Sequence, residues 1–151
     1  MNTACAELLE RYHSQHPIFP SPLVTAGYFC ADQPNADRCA TLIDLGIKTA
    51  SCSMAYWYEQ NLEPWPEVGQ LHIVTHWNGE PVCIIEITKI TLCRFVDVSA
   101  EFAYAEGEGD RTLRHWRLAH RKFFKKECQS LGIEFSEQAC LVLERFERVF
   151  G

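Results

Sequence analysis

Three carboxylates and seven cations stand back to back between Ala105 and Lys126, in the stretch AEGEGDRTLRHWRLAHRKFFKK. Glu106, Glu108 and Asp110 are spaced by Gly107 and Gly109. Arg111, Arg114, Arg117, Arg121, Lys122, Lys125 and Lys126 follow with no acid among them. Clustered carboxylates can hold a hard divalent cation, although neighbouring acids in a loop often hold nothing and no fixed metal spacing is present. The cations can meet phosphate. Half of the chain's 14 Lys and Arg lie between Arg111 and Lys126, and the rest of the chain carries seven bases against 20 acids. With a net charge of −6, the chain lacks the general basicity of an electrostatic nucleic-acid binder. Any contact with a polyanion is confined to this segment.

The elements that position these groups follow from the same stretch. A Glu-Gly-Glu-Gly-Asp run makes neither a stable helix nor an interior strand, since each Gly costs roughly 1 kcal/mol against Ala in a helix. It reads as a tight loop that crowds carboxylates together. Thr112 has the character of an N-cap. Beyond it Leu113, Trp116, Ala119, Phe123 and Phe124, with His120, fall on one helical face. Arg117, Arg121 and Lys125 are expected on the solvent side, with Gly132 as the stop.

Upstream, Ala4 to Tyr12 is helix-like, capped by Thr3. The Pro-rich segment that follows, with four prolines, reads as an extended arm whose Phe19, Tyr28 and Phe29 pack on the body. Asn35 to Leu45 is a second helix, with Ala36, Cys39, Ala40 and Ile43 as its buried stripe. Gly46 to Ser53 (GIKTASCS) suits a strand and its approach, and within it Lys48 is the only cation between Arg38 and Lys89. Met54 to Asn61 is a short aromatic helix. Leu71 to Trp77 alternates as a half-buried strand, Asn78-Gly79 signals a hairpin, and Pro81 to Phe95 returns, bent near Lys89. Ser99 caps a short helix that delivers the acidic loop, and Ala139 to Phe150 closes the sheet. Strands without regular βαβ alternation predict an α+β fold with a small antiparallel or mixed sheet, closed as a barrel and flanked by helices.

At 151 residues the chain suits one domain. No apolar run approaches the ~20 residues of a membrane span. The N-terminus has acids and no apolar core of a signal peptide, which predicts a cytoplasmic protein. Its eight cysteines lack zinc-knuckle spacing. They are expected to be reduced, without disulfide partners, and buried as small hydrophobes, Cys83, Cys93 and Cys140 among them.

Gly-x-Lys-Thr-Ala-Ser after a helix, Pro-x-Val-Gly before a strand, and Ala-x-x-Glu-Gly-Glu-Gly-Asp-Arg-Thr-Leu-x-x-Trp-x-x-x-His-x-x-Phe-Phe together resemble the ASCH domain family. The match runs from about Gly27 to Phe150, leaving residues 1–26 as an N-terminal helix and arm and 27–151 as the domain. The resemblance implies a PUA-like β-barrel with a cleft proposed to bind RNA or a nucleobase. Some small relatives resemble amidohydrolases acting on acylated cytidine. Their working Lys, hydroxyl residue and Glu correspond here to Lys48, Ser51 and Glu108, with Ser in place of the usual Thr. A desolvated Lys can have its pKa lowered and serve as base to a Ser nucleophile. A Glu among acids can keep its proton and donate it.

Two functions are therefore expected. The first is recognition of RNA or a nucleotide, with a base stacked on Tyr56 or Trp57 and the site completed by Thr49, Glu106, Asp110, Arg111, Arg117 and Arg121. The second is hydrolysis, either of acylated cytidine by Lys48, Ser51 and Glu108 or of RNA by a metal on Glu106, Glu108 and Asp110. No cofactor is expected under the first reading, and neither involves a membrane.

Overall fold

The computed structural model describes residues 1–17 and 22–151, so Phe19 lies outside the described residues. Helix α1 (Thr3–Gln15) begins one residue earlier than expected, because Asn2 rather than Thr3 caps it: the Asn2 side chain accepts the Cys5 N–H at 2.8 Å. The arm contributes strand β1 (Val24–Gly27). Helix α2 (Gln33–Asp44) buries Ala36, Cys39, Ala40 and Ile43, as its spacing predicts. Strand β2 (Ala50–Met54) runs directly into α3 (Ala55–Glu59). Strands β3 (Leu71–Thr75) and β4 (Pro81–Arg94) form the hairpin. Helix α4 (Ala100–Glu106), capped by Ser99, precedes the acidic loop. Helix α5 (Leu113–Leu131) leads to β5 (Cys140–Phe150).

The five strands form one mixed sheet in the order β1-β3-β4-β5-β2. β1 runs parallel to β3, and every other pair is antiparallel. The expected barrel is not formed. β1 and β2 are the two edges of an open sheet, and register shifts at Ile84/Ile85 and Ile87/Lys89 bend it without bringing those edges together. The second of these shifts falls beside Lys89, near which the long return strand was expected to bend.

Side chains alternating across the strands build separate cores on the two faces. Leu71, Ile73 and Ile84 pack under α1, whereas Val74, Cys83 and Ile85 pack under α2 with Phe146. The largest core holds α4 and α5 against β2 and β5, through Phe95, Phe102, Trp116, Phe124, Leu141 and Met54. Within α5 the buried face is Trp116, Phe124 and Cys128. Ala119, expected there, is exposed, and Phe123 is half-buried. Cys140 is exposed rather than buried, because it opens β5 at the sheet's end. Among the described residues no helix is long and apolar enough to cross a membrane.

Candidate functional site

Four segments meet where α4 ends. Glu106 is the last residue of α4, and Gly107 caps the helix with φ +71°. The turn is tight: a Cβ at Gly107 would lie 2.6 Å from the Ile47 carbonyl oxygen. Glycine is therefore required, and it draws the loop against the segment carrying Lys48. Two further contacts lock this junction. The Thr49 N–H donates to the Ala105 carbonyl at 2.8 Å. Arg111 stacks on the Tyr104 ring at 3.5 Å and donates to the Tyr104 and Ile47 carbonyls. Arg111 and Thr49 thus shape the loop from outside. Asp110 turns to the start of α5, accepting the Thr112 N–H at 2.9 Å and the Thr112 hydroxyl at 2.6 Å.

Inside the junction, Lys48 is 2% exposed, and its ammonium donates to Glu106 Oε1 and to Glu108 Oε2, each at 3.0 Å. It also reaches the Glu106 carbonyl oxygen at 3.3 Å. Burial alone pulls a lysine toward neutrality, but the two carboxylates outweigh it, and the Lys48 pKa lies above its ordinary value. That reverses the expectation of a lysine whose pKa is lowered by desolvation so that it serves as a neutral base: with two anions in contact, Lys48 is held as an ammonium.

Glu106, equally buried, is surrounded by donors. Besides Lys48 it accepts from the Trp116 indole N–H, faces His120 Nε2 at 3.2 Å, and receives the Cys52 thiol at 3.3 Å. Burial opposes its ionisation, yet Lys48, His120 and Trp116 together hold the carboxyl well below the usual carboxylate range. His120 Nδ1 lies 2.9 Å from the Trp116 carbonyl, and its ring stacks on Trp116 at 4.2 Å. Although burial drives the His120 pKa down, Glu106 more than compensates and raises it. Burial beside Glu106 pushes the Cys52 thiol far up, which keeps it protonated as a donor.

Beyond Glu108 the polar chain continues to the surface. Cys39 Sγ lies 3.6 Å from Glu108 Oε1 and 3.1 Å from Cys30 Sγ. Cys39 is buried and Cys30 exposed.

The remaining sequence candidates sit apart. Ser51 is paired with Glu144 of β5, and its neighbour Cys52 points at Glu106. Alternation along β2 therefore sends the Ser51 hydroxyl to the other face of the sheet from Lys48. Tyr56 and Trp57 are half-buried on the main core, and the Trp57 indole donates to Glu127 at 3.3 Å. Arg117 and Arg121 lie on the outside of α5 with Arg114. These three, with Leu113 and Leu118, line a groove of about 460 Å³. Arg121 is tied to Glu137 at 2.7 Å, whereas Arg114 and Arg117 make no ion pair among the described residues.

Sequence reasoning placed Lys48 with the acidic loop. It missed Cys30, Cys39, Cys52 and the polar use of Trp116 and His120. The Trp-x-x-x-His spacing was read as core packing. The signal that could have revealed more is that both residues carry N–H donors on the face turned toward the end of the acidic loop.

The model of the ASCH domain family matches residues 25–150. The chain belongs to the ASCH domain family. Among solved structures it is similar to an ASCH domain from Lactobacillus crispatus, with 47% identity, a TM-score of 0.95, and coverage of 100% of this chain and 97% of that one. It is also similar to a protein from Enterococcus faecalis, with 30% identity, a TM-score of 0.88, and coverage of 99% and 90%. No curated protein matches the chain.

Proposed function

We propose that the chain is an RNA- or nucleotide-binding module that meets a short single-stranded segment along the outer face of α5. The observation that carries this reading is the groove of about 460 Å³ formed by Arg114, Arg117 and Arg121 over Leu113 and Leu118. Its volume suits a nucleotide. The guanidinium groups suit phosphate, and Leu118, 60% exposed, offers an apolar floor for a base or ribose. The acidity of the rest of the chain favours a short ligand. Membership of the ASCH family agrees, since these domains are generally associated with nucleic acid.

Hydrolysis of an acylated nucleoside has one observation in its favour, the contact of Lys48 with Glu108. It lacks the rest of its machinery: Lys48 is held protonated, and Ser51 lies across the sheet. Binding is therefore the better account.

The test is fluorescence anisotropy with labelled oligouridine and oligocytidine. Arg114→Ala and Arg117→Ala together should weaken both alike, by roughly tenfold. They should also flatten the dependence of log affinity on log salt by about 0.7 per lost phosphate contact. Unchanged affinity and slope in the double variant would overturn the assignment.

A further inference from the structure

We infer that Cys30, Cys39 and Glu108 form a binding site for a soft divalent cation of the zinc class, separate from the α5 groove. Three segments supply the ligands: the loop between β1 and α2, helix α2, and the glycine loop after α4. Their donor atoms lie within 4.8 Å of one another, with the sulfurs 3.1 Å apart and Cys39 Sγ 3.6 Å from Glu108 Oε1. Two thiolates and one carboxylate select zinc-like ions over magnesium or calcium, which prefer oxygen alone. Tetrahedral Zn–S bonds of about 2.3 Å set sulfurs roughly 3.7–3.8 Å apart. The present pair, 3.1 Å apart, needs to open by roughly 0.6–0.7 Å to meet that geometry, within reach of side-chain rotations.

The surroundings also fit. Cys39 is buried, so one side of the site is walled, and Cys30 is exposed, so the other is open. Three protein ligands with an accessible fourth position is the arrangement of a zinc site that can take water or a ligand. Glu108 is already oriented: its Oε2 is held by Lys48 at 3.0 Å while Oε1 faces the thiols. Such a second partner fixes a ligating carboxylate. On binding, each thiol gives up its proton to solvent, two M–S bonds and one M–O bond form, and no oxidant is required. The dication offsets the two new thiolate charges beside Glu108. The second cluster, Cys52, Glu106 and His120, differs in kind. Lys48, Trp116 and His120 already occupy the Glu106 oxygens, and none of that cluster opens to solvent as Cys30 does. Asp110 belongs to neither cluster.

The experiment is a Co²⁺ titration of the reduced, chelator-treated full chain, followed by ultraviolet and visible absorption. One equivalent should produce a thiolate-to-cobalt charge-transfer band and the visible bands of tetrahedral cobalt, both erased by Zn²⁺. Cys39→Ser and Cys30→Ser should each abolish the charge-transfer band at one equivalent, and Glu108→Gln should weaken cobalt affinity at least tenfold. Cys140→Ser, at the exposed start of β5, should leave the spectrum unchanged. Circular dichroism checks that each variant folds, and the exposed Cys30 carries the test should Cys39→Ser fail to fold. The absence of a thiolate–cobalt band in folded wild type overturns the site. So does a band that survives Cys30→Ser, or oxidation of the two thiols to a disulfide in a protein that takes up no cobalt when reduced.

Discussion

Glu106 is a carboxylate at 2% exposure, and burying an anion costs several kcal/mol unless donors replace water. Lys48, Trp116, His120 and Cys52 are those donors. Lys48 is in turn held by Glu106 and Glu108, so removing it has two consequences that a simple loss-of-function reading would confuse. Lys48→Met leaves Glu106 buried without its main counter-charge and should lower stability by about 3 kcal/mol. Adding Glu106→Gln removes the stranded charge while the amide oxygen still accepts from Trp116. The double variant should recover more than about 1 kcal/mol of that loss, a coupling typical of contacting residues. Urea unfolding of the wild type, both single variants and the double variant measures it, and strict additivity would show that the ion pair carries no special energy. Lys48 was legible in the sequence as an isolated cation beside a motif. Its protonation state was not, because that depends on two carboxylates brought in from about sixty residues away.

Among the elements, the helices and the hairpin could be read closely, because local chemistry defines them. Ser99 and Thr112 cap α4 and α5, and Gly132 ends α5 in a left-handed conformation. What could not be read was pairing. Strand β1 sits in a proline-rich arm and runs parallel to β3, so nothing local showed that it would form an edge rather than help close a barrel. The Cys30–Cys39 contact likewise depends on how α2 docks, and nine residues of separation carry no metal signal. The parity of β2, which turns Cys52 rather than Ser51 toward Glu106, depends on how the strand pairs with β5. The glycine loop offers a clean test of the junction. Gly107 and Gly132 share the same backbone conformation, with φ of +71° and +72°, but a Cβ at Gly132 meets nothing within 4 Å whereas one at Gly107 strikes the Ile47 carbonyl. Gly132→Ala should therefore cost about 1–2 kcal/mol, the left-handed penalty alone. Gly107→Ala should cost at least about 2 kcal/mol more, because the backbone it meets cannot rotate away. Equal losses in thermal or urea unfolding would mean that the loop is not pressed against Lys48 as described.

At the scale of the whole molecule the governing fact is charge segregation. Seven cations lie between Arg111 and Lys126 in a chain whose net charge is −6, and the structure places Arg114, Arg117 and Arg121 along one groove of α5. A 19-residue helix is about 28 Å long at 1.5 Å per residue, so only a short run of phosphates can lie against it. A longer strand must leave that helix for the rest of the chain, in which acids outnumber bases by 19 to eight. Salt at physiological strength screens charges beyond about 8 Å, so the distant cations add little pull and the distant acids little repulsion. Affinity for oligouridine should therefore rise over the first few nucleotides and level off, at the short end of the roughly 4–16 nucleotides that single-strand binding folds cover. Beyond that length only the modest gain from additional binding registers should remain, and the salt slope should stay constant, because it counts phosphates neutralised rather than phosphates present. Anisotropy titrations against oligomers of increasing length, each at several salt concentrations, measure both quantities. A slope that keeps steepening up to twenty nucleotides would mean that contacts extend well beyond α5, and the groove would then be only part of the interface.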